Sequence, residues 1–205
     1  MTAFIVVDLQ NDFLPGGALG VKDGDSILPV IKKLLNYPFD VILGSKDWHP
    51  ADHVSFAATH GKKVNDVIDV NGRPQILWPV HCVRGTPGAE FSNKWDHGKV
   101  KKVFQKGTDK NFDSYTIFFT DGQSQSTGLH EYLQSKEIKE IYIAGLTTEY
   151  CVKYSVLDAL KLGYNTYVIM DGCKAINVKP DDEENAIQEM LQAGANIIYS
   201  TELSE

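Results

Sequence analysis

The sequence lacks the usual cradles for phosphate. No G-x-G-x-x-G follows its first apolar segment and no G-x-x-x-x-G-K-[ST] occurs, so dinucleotide and nucleoside triphosphate binding have little support. Gly16-Gly17 in FLPGGALG lacks the strand-to-helix setting. The absence of a G-x-S-x-G elbow likewise disfavours a serine α/β-hydrolase. Cysteine is sparse: Cys82, Cys151 and Cys173 are an odd number without close pairing, which argues against a disulfide framework and for reduced thiols. Long apolar runs are missing, the first being only Ala3 to Val7 before Asp8, too short for a signal-peptide core or a membrane span. A cytoplasmic protein without a membrane partner is expected. The formal charge is -7 and the short basic runs, such as Lys32-Lys33 and Lys62-Lys63, are scattered, which argues against a nucleic-acid surface.

What is present suits a compact α/β protein. The 205 residues are 42% hydrophobic and 23% charged, enough for a single domain over 1–205 with a substantial core. Apolar, β-rich segments at Phe4–Val7, Phe39–Leu43, Val100–Phe104, Ile141–Ala144, Thr166–Met170 and Asn196–Tyr199 suggest six strands. Helix-like stretches at Ser26–Asn36, Gly128–Ser135, Glu149–Leu162 and Asp181–Ala193 lie between most of them. Strand–helix alternation predicts a parallel sheet in a three-layer, doubly wound α/β fold. The segment Pro50–Gln75 has no sustained period. A loop of that length is expected to be functional, and it is bracketed by DWHPADH and LWPVHC.

Polar residues stand where strands end. Asp8 follows Phe4-Ile5-Val6-Val7 directly, and the carboxyl end of a buried parallel strand is where open α/β sheets keep their chemistry. Asp47 follows the second strand, Lys106 in VFQKG the third and Cys151 the fourth. If the second strand runs on, Asp47 and His49 project from one face, with His53 four residues later and His81 returning in WPVHC. Asp plus two His with open coordination positions suits zinc, iron(II) or manganese. The plainer alternative is that His49 caps a turn and His81 is a core histidine. Cys151 falls in a first helical turn after AGLTTEY, where unpaired backbone N–H groups and the helix dipole favour a thiolate. Those groups, with the Thr147 N–H, suit an oxyanion hole. Otherwise Cys151 is a small buried hydrophobe.

Together, FIVVDLQNDF, SKDWHPADHVSF, LWPVHCVRGTPGAEF, VFQKGTD and AGLTTEYCVKYSVLDALKLGY resemble the nicotinamidases of the isochorismatase-like cysteine hydrolase superfamily. The match runs over nearly the whole chain in family order, and DWHP together with WPVHC resembles the metal-binding branch. The resemblance implies a six-stranded parallel sheet of order 3-2-1-4-5-6 and a triad of Asp8, Lys106 and Cys151. It implies a divalent metal, zinc foremost and iron or manganese as alternatives, on Asp47, His49 and His81, with His53 as a further ligand, direct or through water. Phe13, Trp78 and Tyr115 would line a ring pocket, and a non-proline cis peptide is expected between Leu146 and Thr147. Ile117 stands where similar proteins carry a smaller residue. The implied reaction is deamidation of nicotinamide, and of pyrazinamide, through a cysteine thioester, in salvage towards NAD. The rivals are a related cysteine hydrolase of another small amide and a non-catalytic binder of metal or ligand. Monomer and small homo-oligomer are both compatible with the acidic surface. His60, His97, His130, Cys82 and Cys173 are expected to be structural or superficial.

Overall fold

In a computed structural model, which describes residues 1–121 and 124–203, the hydrophobic runs become a twisted sheet covered on both faces. Its strands are β1 (Thr2–Val7), β2 (Val41–Asp47), β5 (Lys102–Lys106), β6 (Glu140–Leu146), β7 (Asn165–Lys174) and β8 (Asn196–Ile198). They lie in the order β5-β2-β1-β6-β7-β8 with every pair parallel. Counting only the strands of this sheet in chain order gives 3-2-1-4-5-6, as the resemblance implies. Helices α1 (Leu28–Leu34), α2 (Leu129–Ser135), α3 (Lys153–Lys161) and α4 (Asp182–Gln192) supply the outer layers.

The central strand is β1, whose Ala3–Val7 are buried on both faces. This explains its unbroken apolar run, since alternation is needed only where one face meets water. Its neighbours leave in opposite directions, β2 on one side and β6 on the other, so the loops beyond its carboxyl end part and leave a crevice. Gly145 allows β6 to approach: its φ is +133° and a Cβ there would stand 2.2 Å from the Val7 carbonyl oxygen. The Leu146–Thr147 peptide that follows is cis.

Three expectations are corrected. First, β2 begins at Val41 rather than Phe39 and continues to Asp47. Phe39 instead stacks on Phe4, with ring centroids 5.3 Å apart. Second, the helix expected from Glu149 opens with a π-turn over Thr148–Val152 before α3 begins. The Ser155 hydroxyl donates to the Cys151 carbonyl there, and such widened turns concentrate at functional sites. Third, the segment Pro50–Gln75 is structured. It contains a 3₁₀ turn at Ala57–His60 and, with Ile76, a hairpin of β3 (Val67–Val70) and β4 (Arg73–Ile76). The two turn residues, Asn71 and Gly72, have φ of 53° and 79°, which are the signs a two-residue hairpin turn needs.

Candidate active site and metal cluster

Four adjacent strand ends deliver Asp8, Asp47, Lys106 and the segment Thr147–Cys151 to the crevice, and nearly every polar atom there is buried. Asp8 leaves β1 with φ of 49°, a left-handed conformation that non-glycine residues rarely hold. Its partners on β2 hold it there. The Asp8 N–H donates to the Ser45 carbonyl (3.2 Å) and the Ser45 hydroxyl donates to Asp8 Oδ1 (2.6 Å). Lys106 ends β5 with no solvent exposure. Its ammonium lies 3.0 Å from Asp8 Oδ2, and donates to Asp47 Oδ1, to Cys151 Sγ (3.1 Å) and to the Ser114 carbonyl (3.2 Å). One carboxylate oxygen each of Asp8 and Asp47 and the Cys151 sulfur lie within 4.8 Å of one another. Asp8 Oδ2 accepts no aligned hydrogen bond, so it retains a lone pair to receive a proton.

The electrostatics follow from burial and charge. Burial penalises the Lys106 cation, but Asp47 and Asp8 override it and hold the ammonium protonated far above its usual range. Burial alone would also raise Asp47, yet the Lys106 ammonium holds that carboxyl well below the usual carboxylate range. Asp8 has the opposite fate, because burial, with the nearby Asp47 charge, outweighs Lys106 and raises its carboxyl. Burial pushes the Cys151 thiol well above its ordinary value, although Lys106 opposes the shift. Burial thus opposes the thiolate that a helix N-terminus favours, and a base beside the sulfur is needed to take its proton.

Asp47 belongs to a second cluster. His49 Nε2 stands 3.3 Å and His81 Nε2 3.6 Å from Asp47 Oδ2. His49 Nδ1 faces the Gly107 carbonyl at 2.8 Å and His81 Nδ1 faces the Pro79 carbonyl at 2.7 Å. Each Nδ1 donates to its carbonyl, which turns both Nε2 atoms towards the carboxylate; burial penalises the His49 cation, but Asp47 raises the imidazole above its ordinary value. His49 Nε2 is buried without a hydrogen-bond partner. Two ring nitrogens and a carboxylate oxygen converge on one point that calls for positive charge, a proton or a metal ion, and a backbone acceptor behind each ring is the support that metal-bound histidines have. The donor set fits a divalent metal. Gly107 makes room for this arrangement: its φ is +61° and a Cβ there would stand 2.4 Å from His49 Cε1.

His53 stands behind His49 rather than against Asp47, and with His49 and Asp113 it forms a further group of possible ligands whose donor atoms lie within 4.8 Å of one another. Its ring stacks on His49, with centroids 4.1 Å apart. Nδ1 is engaged by the Ser55 hydroxyl (2.7 Å) and N–H, and Nε2 by the Phe112 carbonyl (3.0 Å). Both nitrogens thus have partners within the protein. Burial, followed by His49, lowers the His53 ring to about 4, so it is neutral and serves as a wall for His49.

Both clusters reach one cleft. Phe13, Trp78 and Tyr115 line it, together with Cys151 and Thr147 at one side and Asp47 and His81 at another. Trp78 Nε1 donates to the Tyr115 hydroxyl at 3.1 Å. Sequence reasoning missed Leu19, Asp113, Tyr150 and Ile176 in the same lining. Tyr150 lies in AGLTTEYCV beside Cys151, and its ring packs edge-on against Trp78. Ile117 is fully buried in the main core rather than among the residues lining the cleft. His60 and His130 are engaged by Val54 and Tyr164, and His97 packs on Phe91 and Trp95. All three cysteines are buried and free.

Comparison with known proteins agrees with this geometry. The family model for the Isochorismatase domain matches residues 54–202. An Escherichia coli nicotinamidase is 43% identical over 95% of this chain and 93% of its own length. The chain belongs to the nicotinamidase branch of the isochorismatase family. Among solved structures, an Acinetobacter baumanii nicotinamidase–pyrazinamidase has a TM-score of 0.94 at 40% identity, covering 99% of this chain and 98% of the other. A Pyrococcus horikoshii pyrazinamidase in complex with zinc has a TM-score of 0.78 at 37% identity, covering 97% and 98%.

Proposed function

We propose that the chain, as a single isochorismatase-like hydrolase domain over residues 1–205, deamidates nicotinamide to nicotinate and ammonia through a cysteine thioester. The observation that carries this reading is the contact of Lys106 with Asp8, Asp47 and Cys151 beside a cleft that Cys151, Asp47 and His81 line. A pure binder needs no such acid, ammonium and thiol set. Pyrazinamide, the substrate named for two of the structural relatives, differs from nicotinamide by one ring atom and is the expected second substrate.

Asp8 accepts the thiol proton as Cys151 Sγ attacks the carboxamide carbon, and then passes it to the departing nitrogen. Lys106 stays charged throughout: it orients Asp8 and stabilises the developing thiolate through its contact with Sγ. The backbone N–H groups of Thr147 and Cys151 receive the oxyanion, a contact worth roughly 3–4 kcal/mol per donor in other enzymes. Ammonia leaves and a thioester remains on Cys151. Asp8 then activates water, the thioester is hydrolysed, and nicotinate departs. Phe13, Trp78 and Tyr115 line the space for the ring, while Asp47, His49 and His81 would hold a divalent ion, zinc foremost with iron or manganese as alternatives. That ion, when bound, supplies a Lewis-acidic contact for the ring nitrogen, an orienting role rather than water activation.

The reduced, buried cysteines suit a cytoplasmic enzyme of NAD salvage, acting as a monomer or small homo-oligomer. Among the described residues no helix is long and apolar enough to cross a membrane. The test is release of ammonia and nicotinate from nicotinamide by zinc-loaded protein beside Cys151→Ala. Turnover by the wild type alone supports the reading. Zinc binding without turnover by the wild type refutes it in favour of a non-catalytic binder or another amide.

A further inference from the structure

The motif that carries Asp8 has two more polar side chains at the same alternation, Gln10 and Asp12, and neither reaches the nucleophile. Gln10 is fully buried. Its amide nitrogen donates to the Asp47 carbonyl (2.8 Å) and the Ala89 carbonyl (2.7 Å), while its amide oxygen accepts from the Asp47 N–H (2.9 Å). Both backbone groups of Asp47 are therefore held by one side chain, and the opposite amide orientation would face two carbonyls with an oxygen. Asp12 acts four residues from Asp8 on a different segment. Its Oδ2 accepts from the Cys82 N–H at 2.7 Å and its Oδ1 from the Ala18 N–H at 3.3 Å. Cys82 directly follows His81 and has φ of 46°, a conformation that sets the direction in which the chain leaves His81 and that a β-substituted residue does not hold without support. Cys82 in turn accepts from the His49 N–H at 3.0 Å, so the brace on Cys82 reaches both histidines.

We propose that Gln10 and Asp12 are positioning residues for the metal cluster, presetting Asp47, His49 and His81 before an ion arrives. The inference rests on those three residues being the ligand set. It assigns DLQNDF a division of labour: Asp8 serves the sulfur, and the two polar side chains after it serve the ion. Gly88 completes the device. A Cβ at Gly88 would stand 2.2 Å from Asp12 Oδ2, so the absence of a side chain there keeps the Asp12 carboxylate in place.

The test is the affinity of the full-length protein for Zn²⁺, read by competition with a chromophoric chelator. Loss of a supporting hydrogen bond behind a metal ligand typically costs roughly 10–100-fold in affinity, and that range is expected for Gln10→Met and Asp12→Ala. Gln10→Glu is expected to fail as well, because a carboxylate cannot donate to the Asp47 and Ala89 carbonyls. Asp12→Asn keeps an acceptor for the Cys82 N–H and is expected within about threefold of wild type. Gly88→Ala should reproduce Asp12→Ala although it changes no hydrogen-bonding group. Thr166→Val, which removes a buried hydroxyl bonded to the Tyr164 carbonyl, reports on general destabilisation and should leave Zn²⁺ affinity unchanged. Wild-type affinity in folded Gln10→Met and Asp12→Ala overturns the inference. If one of these fails to fold, the Asp12→Asn and Gly88→Ala pair decides: equal affinities in that pair overturn it, and a drop confined to Gly88→Ala supports it. A wild type that holds no Zn²⁺ overturns the ligand set itself, a result distinct from equal binding by all variants.

Discussion

The two sides of the cleft are held in place by different means. On the nucleophile side, Asp8, Lys106 and the Thr147–Cys151 turn leave the ends of neighbouring parallel strands, so backbone ladders fix their spacing. On the metal side, only Asp47 ends a strand. His49 and His81 lie on loops joined by isolated bridges, His49 with Val83 and Phe56 with Trp78, and by side chains that reach backbone groups. On the proposed reading, the contrast teaches that the chemistry is built into the sheet, whereas ring recognition is built onto it. Lys106 and Asp47, in direct contact, are where the two sides meet.

The largest expected effect is confined to the nucleophile side. Cys151→Ala should lower turnover by at least about 10⁴-fold, as removal of a nucleophile does elsewhere, while Zn²⁺ content by elemental analysis stays at the wild-type level. Loss of both together would break the comparison. Next, Asp8→Asn should lower kcat by roughly 10²–10⁴-fold with nicotinamide affinity retained, and stopped-flow should detect no single-turnover acylation. Persistent acylation would assign the base elsewhere. On the metal side, His81→Ala should reduce Zn²⁺ affinity and raise KM more than it lowers kcat, because it removes orientation and leaves the acid, ammonium and thiol in place.

Two smaller effects sharpen the picture. Because burial raises the Cys151 thiol above its ordinary value, the protonated form persists at neutral pH and thiolate appears only as pH rises through that elevated value. An ultraviolet difference spectrum of wild type against Cys151→Ser should then lack the thiolate band at neutral pH; a full band there would restore the helix-dipole thiolate. Smallest of all, Gly72→Ala in the hairpin turn forces a Cβ onto a residue with φ of 79° and should cost about 1 kcal/mol of stability with kcat unchanged, as measured by denaturant unfolding and steady-state rates.

The legibility of this site in the sequence follows the same division. A buried parallel strand writes itself as a short β-branched run, so the polar residue ending each run was visible: Asp8, Asp47, Lys106 and, after a turn, Cys151. Asp47 and His49 could be paired because an extended chain repeats every second residue. His53 is equivalent by type, and only tertiary contacts with Ser55, Phe112 and the His49 ring show that it stands behind His49 rather than against Asp47. Gln10 and Asp12 were equally opaque, since a side chain bonded to backbone across more than thirty positions leaves no period. The hairpin is a different case: Asn71-Gly72 between Val67–Val70 and Arg73–Ile76 is a direct turn signal, hidden by the charged and proline residues of its short strands. Phe39 misled by its apolar character, because stacking on Phe4 rather than strand pairing satisfies it.

The central claim is that the ion sets the ring while Cys151 breaks the amide. Its most direct test is the ratio of kcat/KM for nicotinamide to that for benzamide, which keeps the carboxamide and lacks the ring nitrogen, in zinc-loaded and chelator-treated protein. The account predicts a large ratio that collapses towards unity when the ion is removed and returns when Zn²⁺ is restored. A ratio near unity in the loaded protein, or one that survives chelation unchanged, would contradict it.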